Sequence, residues 1–271
     1  MNTDIIDFNE ALNLINSVAK EFTVDIWIPS IKKTIKFREM DAKQQKILLG
    51  VAIDNSIYNN GFTNSFNEIL KDNVVEADIT SDFLESLSLI DKACIAISLR
   101  KQISDNITVV FDSKNKISSN FKLNDIIEKF KRCETPENYT VEVNNEKNSL
   151  KILLKYPTIK TELEFDKEFS KSNKKADQVK TQTDVQDIIT EAFISETTKY
   201  INKLWVSEQE ILFDNLSAKQ KIQIVERFPS NIMQKILETI SKWKNISDDI
   251  LKVDFEEHSK VIAIDSLLFL N

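Results

Sequence analysis

The stretch SDFLESLSLIDKACIAISLRKQ, residues 81–102, is followed four residues later by ITVVF, residues 107–111. In the first, Leu87, Ile90, Cys94 and Ile97 recur on one helical stripe, widened by Phe83, Leu84, Ala93 and Ile95. That spacing predicts a helix over 81–102. In the second, the period falls from 3.6 to 2, which predicts a strand. A change of period over so short a distance gives an α+β chain.

Toward the C-terminus, Leu123, Ile126, Ile127 and Phe130 mark a short helix. Tyr139, Val141 and Val143 alternate with polar neighbours, as do Leu150, Ile152, Leu154 and Tyr156. Leu163 and Phe165 alternate with Glu162, Glu164 and Asp166. These runs predict antiparallel strands with one wet face. Toward the N-terminus, an Asp41-Ala-Lys-Gln44 capping box opens a helix. Ile47, Leu48, Leu49, Val51, Ala52 and Ile53 make that helix apolar over most of its circumference, which places it centrally. An Asn-rich loop surrounds Gly61, and a short helix is expected over 64–71. Residues 22–28 and 34–38 flank Pro29-Ser30 and read as a hairpin. Phe8, Ala11, Leu12, Ile15 and Val18 predict a first helix over 6–20.

Residues 170–183, SKSNKKADQVKTQT, carry four lysines against one aspartate and only Val179 as a sizeable apolar residue. They read as a polar linker or long loop. It divides an α+β region, 1–169, from a helical region, 184–271, with a terminal hairpin. In the latter, Val185, Ile188, Ile189, Ala192 and Phe193 predict a helix to about 203. Ser217-Ala-Lys-Gln220 opens a second helix, Pro229 ends it, and Ser230 caps a third. Leu251, Val253 and Phe255 face Val261–Ile264 across a polar turn. The expected fold is therefore antiparallel sheets with a buried central helix, then a mostly helical part ending in a β-hairpin.

Composition excludes several function classes. The 271 residues carry a net charge of −7 and contain two glycines, where average usage of about 7% would give roughly nineteen. Gly50 and Gly61 stand too far apart for a dinucleotide fingerprint or a P-loop. Turns are expected to use Asn, Asp and Ser instead. Four arginines among 36 basic residues, and an acidic total, argue against a nucleic-acid partner. The longest uncharged stretch, Asn55–Asn67, is too short to span a bilayer. The opening MNTDIIDFNE has no basic region, so no secretory signal is expected. Two cysteines and one histidine supply neither a disulfide framework nor a zinc set.

The candidate chemical groups are few. His258 reads as an exposed turn residue between Glu256-Glu257 and Ser259-Lys260. Cys94 lies on an apolar stripe and reads as core. Cys133 follows Lys131-Arg132, which would favour its thiolate, but no histidine lies nearby in sequence. Glu162, Glu164 and Asp166 on one strand face, about 6.6 Å between neighbours, would suit a metal-dependent hydrolase. A wet sheet face explains the same pattern. The Lys-rich 171–180 stretch lacks the aromatics that stack on bases. Leu267, Leu268, Phe269 and Leu270 close the chain on four large apolar residues, which must be buried in the parent fold or against a partner. Trp205 and Trp243 present the same alternatives, as does Trp27.

Four stretches, in order, carry a resemblance. They are Ile28-Pro-Ser30 through Thr34–Arg38 into Asp41–Leu49, Leu150–Pro157, Leu216–Gln220 through Phe228-Pro229, and the closing Ile264–Phe269. Together they resemble the baseplate hub subunit and hub-assembly family of T-even-type contractile-tailed phages. Lys244–Asp249 lacks the Cys pair of some members, so no metal knuckle is implied. The resemblance implies a non-enzymatic structural protein without cofactor, binding other hub or tail proteins. It places the chain in the host cytoplasm during assembly, with the virion baseplate as a further location. Two rivals predict different surfaces. A hydrolase needs a concave pocket with raised carboxylate pKa values, and a chaperone-like binder of helical tail proteins needs an open groove. The hub reading predicts flat apolar patches and no such pocket.

Overall fold

The structure is a computed structural model that describes residues 7–53, 60–144, 149–173, 190, 192–207 and 209–269. The architecture is α+β, with small antiparallel sheets arranged around a buried helix and along a long C-terminal one. The helix expected over 81–102 is two helices, α4 (Ser81–Ser86) and α5 (Leu89–Ile103). The break has a local cause. Asp91 N donates to Ser88 Oγ at 3.1 Å, and Asp91 Oδ2 accepts from Ser88 N at 2.8 Å, a full capping box. The extended residues at the break also hold segment 157–159. Leu89 N donates to Pro157 O, and Ile159 N donates to Leu87 O.

Helix α5 is the central one. Every residue from Ile90 to Arg100 is buried. Around it lie the hairpin of β1 (Thr23–Ile28) and β2 (Lys33–Arg38), helices α2 (Ala42–Ile53), α3 (Asn60–Asn73) and α6 (Leu123–Arg132), and the hairpin of β3 (Asn106–Asp112) and β4 (Ile117–Lys122). Helix α1 (Phe8–Ala19) precedes them. Helix α2 does not take the central place its apolar run suggested. Leu48 is buried, but Ile47 and Gly50 are exposed. Its inner face packs on α3 and on a 3-10 turn at Ser266–Phe269. Gly61 lies inside α3 rather than in a loop. A Cβ there would come within 2.9 Å of Val51 Cγ1, so Val51 on α2 would have to shift to admit a side chain.

A second core is built on a four-stranded sheet in the order β5 (Tyr139–Asn144), β6 (Ser149–Leu154), β7 (Ile201–Val206), β8 (Gln209–Ile211). All pairings are antiparallel. Between β6 and β7 come α7 (Ile159–Asn173) and α8 (192–198). The helix expected to reach 203 thus gives way to β7 at Ile201, whose register places Leu204 opposite Ile152. The sheet pairs strands from both sides of 170–183, and residues 174–183 lie outside the described ones. Helices α9 (Ala218–Val225) and α10 (Ser230–Leu251) close this core. Ser230 is the first residue of α10, and Pro229 occupies the cap position ahead of it.

Helix α10 has 22 residues, about 33 Å of helix at 1.5 Å per residue, and joins the two cores. Ile232, Ile236, Ile240 and Trp243 serve the second, while Ile250 and Leu251 serve the first. The terminal hairpin, β9 (Lys252–Phe255) with β10 (His258–Val261), follows as expected. The scarcity of glycine leaves its trace in the turns. Among the described residues, Lys32, Lys116, Ser207 and Glu256, in the β1–β2, β3–β4, β7–β8 and β9–β10 turns, adopt positive φ. Such backbone costs about 1 kcal/mol for a residue with a Cβ, and Lys and Glu bear it more often here than the expected Asn, Asp and Ser.

Candidate interaction surfaces

The acidic run at 162–166 is helical, not a strand, which removes the common face drawn for Glu162, Glu164 and Asp166. Thr158 and Thr161 cap α7 reciprocally, with Thr158 N donating to Thr161 Oγ1 at 2.9 Å and Thr161 N to Thr158 Oγ1 at 3.3 Å. On a helix, Glu162 and Asp166 share a side and Glu164 points elsewhere. Glu162 Oε2 accepts from the buried Lys92 Nζ, which also donates to Thr63 Oγ1 at 3.3 Å and lies over the Phe62 ring. Burial and the neighbouring Glu162 push the Asp166 carboxyl above its ordinary value. These groups hold α7 against α5 and α3.

A concave region does exist, contrary to the flat surface expected of a docking protein. Two adjoining hollows of about 260 and 550 Å³ share Thr161, Glu164, Lys199, Ile201 and Asp214, between α7 and the start of β7. Both lysines and carboxylates line the larger one: Lys155, Lys160 and Lys199 with Asp82, Glu85, Glu164 and Asp214. Lys199 Nζ lies 4.4 Å from the Phe165 ring centre and pairs with Glu196 at 2.6 Å. Tyr156, on the rim, has its phenol pushed up to about 12 by burial. The raised Asp166 carboxyl does not line the hollow, and neither does a cysteine or histidine among the described residues. Among those residues no group of three or more His, Cys, Asp or Glu is placed to hold a metal ion.

The remaining candidates are accounted for by packing. Cys94 is buried on α5, donates to Trp27 O at 3.2 Å, and has its thiol pushed up to about 12 by burial. Burial also raises Cys133, so Lys131-Arg132 does not activate it. His258 opens β10 rather than sitting at the tip, with its ring 6.2 Å from that of Phe111. Asp91, a residue whose role the sequence did not reveal, is fully buried. Besides the Ser88 amide it accepts from Ser30 N at 2.8 Å, tying the β1–β2 turn to the start of α5. The signal was there in Ser88-Leu-Ile-Asp91, an N-cap followed by an acid at the third helical position.

The chain end folds inward. Leu268 and Phe269 are buried, and Phe269 sits 6.2 Å from both the Phe62 and Phe66 rings. Arg100, 1% exposed, donates Nε to Leu268 O at 2.9 Å. Its guanidinium has no acidic partner within ion-pair distance among the described residues, and desolvation lowers its pKa. Leu267 remains 54% exposed, and Leu270 lies outside the described residues. Trp243 is buried between Tyr156 and Tyr200. Trp205 is half-buried in β7 beneath Lys151 and Lys203. Apolar side chains exposed elsewhere include Phe193, Leu212, Val206 and, on and just after α1, Phe8, Leu12, Leu14, Ile15, Val18 and Phe22. No described helix is long and apolar enough to cross a membrane.

The model of the T4 bacteriophage base plate protein family matches residues 19–256. The chain belongs to that family. The match runs from the residues just before β1 to the turn of the terminal hairpin, so it covers the second core and all of the first except Ile262, Leu268 and Phe269. No curated protein and no solved structure matches the chain. A phage base plate protein of this family has a structural role in the virion tail, held there by other baseplate proteins.

Proposed function

We propose that the chain is a component of the baseplate hub, or a factor that assembles the hub, and that it acts by binding other hub or tail proteins. The observation that carries this reading is the family match over 19–256. The four stretches that resemble hub proteins support the finer assignment. They fall on the β1–β2 hairpin with α2, on β6 and the turn after it, on α9 with its Pro229 stop, and on the closing 3-10 turn. Leu267 and Trp205 are the contact candidates with surface left to offer, since Leu268, Phe269 and Trp243 are taken up inside the chain. The mechanism is shape complementarity between rigid surfaces, with assembly in the host cytoplasm.

One observation favours the chaperone-like variant of this reading. A shallow, open apolar stripe along α10, with Met233 and Leu237 between Ser230 and Ser241, offers a face on which an amphipathic helix can lie. Infection with phage lacking a working copy of the gene tests both. Electron microscopy should show tails without complete baseplates, and mass spectrometry of wild-type virions decides between a resident component and a released factor. Normal baseplates in its absence would contradict the proposal.

A further inference from the structure

Helix α1 carries an apolar face that the other described residues leave uncovered. At 100° per residue, Leu14, Val18, Ala11, Ile15, Phe8 and Leu12 span an arc of about 160°. Asn9, Glu10, Asn13 and Ser17 occupy the other side. Phe8 is 78% exposed and Ile15 64%, and Leu12, Leu14 and Val18 are exposed as well. The helix is nevertheless started properly, with Glu10 N donating to Asp7 Oδ1 at 2.8 Å and Ala11 N to Asp7 O at 2.9 Å. A twelve-residue helix is marginal alone in water. A capped helix with a wide apolar face that no described residue covers is built for a partner. It also lies ahead of the region shared with the family, which begins at residue 19.

The width of the arc and the charges beside it say what covers it. A two-stranded coiled coil needs a narrow seam, with charges at the flanking positions. Here those positions hold Leu12 and Leu14, so a single helix would leave them wet. A groove between two helices covers the whole arc. Residues 1–21 contain four acids and one lysine, so the rim of that groove is basic. The same charges argue against an anionic membrane surface, which attracts lysine-rich helices. They argue against a second copy too, because the open apolar stripe of this chain, Met233 and Leu237 on α10, lies on a single helix and has Glu238 beside it. We infer that α1 docks by its Phe8–Ile15–Val18 face into an apolar, basic-rimmed groove between two helices of another baseplate protein. This rests on the family's structural role and adds the element and the kind of surface it meets.

The test uses the full chain, titrated singly with each recombinant baseplate protein of the same phage, and its Ile15→Asp and Glu10→Lys variants. Both substitutions lie outside the two cores, so an unchanged urea midpoint certifies the fold. One partner should bind, with α1 amides gaining hydrogen-exchange protection and two adjacent helical segments of the partner protected as well. Ile15→Asp should weaken binding about 100-fold. Glu10→Lys should weaken it less and reduce its salt dependence. Binding that ignores Ile15→Asp overturns the inference while leaving the proposed function standing. So does self-association that Ile15→Asp abolishes, or protection of α1 on phosphatidylcholine vesicles alone. Failure to bind any baseplate protein overturns both.

Discussion

Helices α5 and α1 are made of similar residues and end in opposite situations. From Ile90 to Arg100 every side chain of α5 is buried, including Asp91, Lys92 and Arg100, and each of those three meets hydrogen-bond partners in the fold. On α1 the large apolar side chains face water. Apolar content therefore does not distinguish a core helix from a docking helix. What distinguishes them is whether the chain supplies the partners. Around α5 it supplies a turn, three helices and its own C-terminal end, and around α1 it supplies an N-cap and little else.

The contrast can be broken at several points. Phe66 is fully buried, stacked on Phe62 at 5.3 Å and touching Phe269. Phe66→Ala should cost about 4 kcal/mol in urea unfolding. Loss of less than 1 kcal/mol would mean that the α3 face and the chain end pack loosely. Ser88→Ala removes the cap of α5 and one of the donors to Asp91, and should cost about 1–2 kcal/mol by the same measurement. Asp166→Asn is expected to stabilise modestly. The Asp166 carboxyl is raised by burial, so the native chain holds that proton more tightly than the unfolded one. Stability is then lost as pH rises through the range just above the ordinary carboxylate value. Asparagine abolishes that loss, so its advantage should be larger at pH 7 than at pH 4. At the far end, Ile15→Asp on α1 should change stability by no more than about 0.5 kcal/mol. A large effect there would show that α1 belongs to the core after all.

Much of this fold was legible in the sequence because it is written locally. The boxes at Asp41–Gln44 and Ser217–Gln220 form as their spacing requires, with Gln44 N donating to Asp41 Oδ1 at 2.7 Å and Ser217 N to Gln220 Oε1 at 3.0 Å. The alternation at 139–143 and 150–154 gives β5 and β6. The errors share a cause. At 162–166 five alternating residues fit period 2, yet Thr158 and Thr161 start a helix and Lys92, some seventy residues away, claims Glu162. Strand β4 was missed because Ser118, Ser119 and Asn120 offer little apolar signal, and pairing with β3 decides it instead. The apolar run of helix α2 points to a central place, but only one face finds neighbours, in α3 and the 266–269 turn. The interaction surfaces were legible only in part. The terminal apolar run is visible in sequence, but nothing local says that Arg100 captures the Leu268 carbonyl and draws that end inward. The uncovered state of α1 is likewise a property of the whole fold.

The most direct trial of the proposed binding role is sedimentation velocity of the full chain mixed with purified hub proteins of its phage. A discrete complex of fixed stoichiometry is expected, formed by the folded chain without added metal or nucleotide. A chain that sediments alone beside every hub protein, at concentrations well above those of an infected cell, would contradict it.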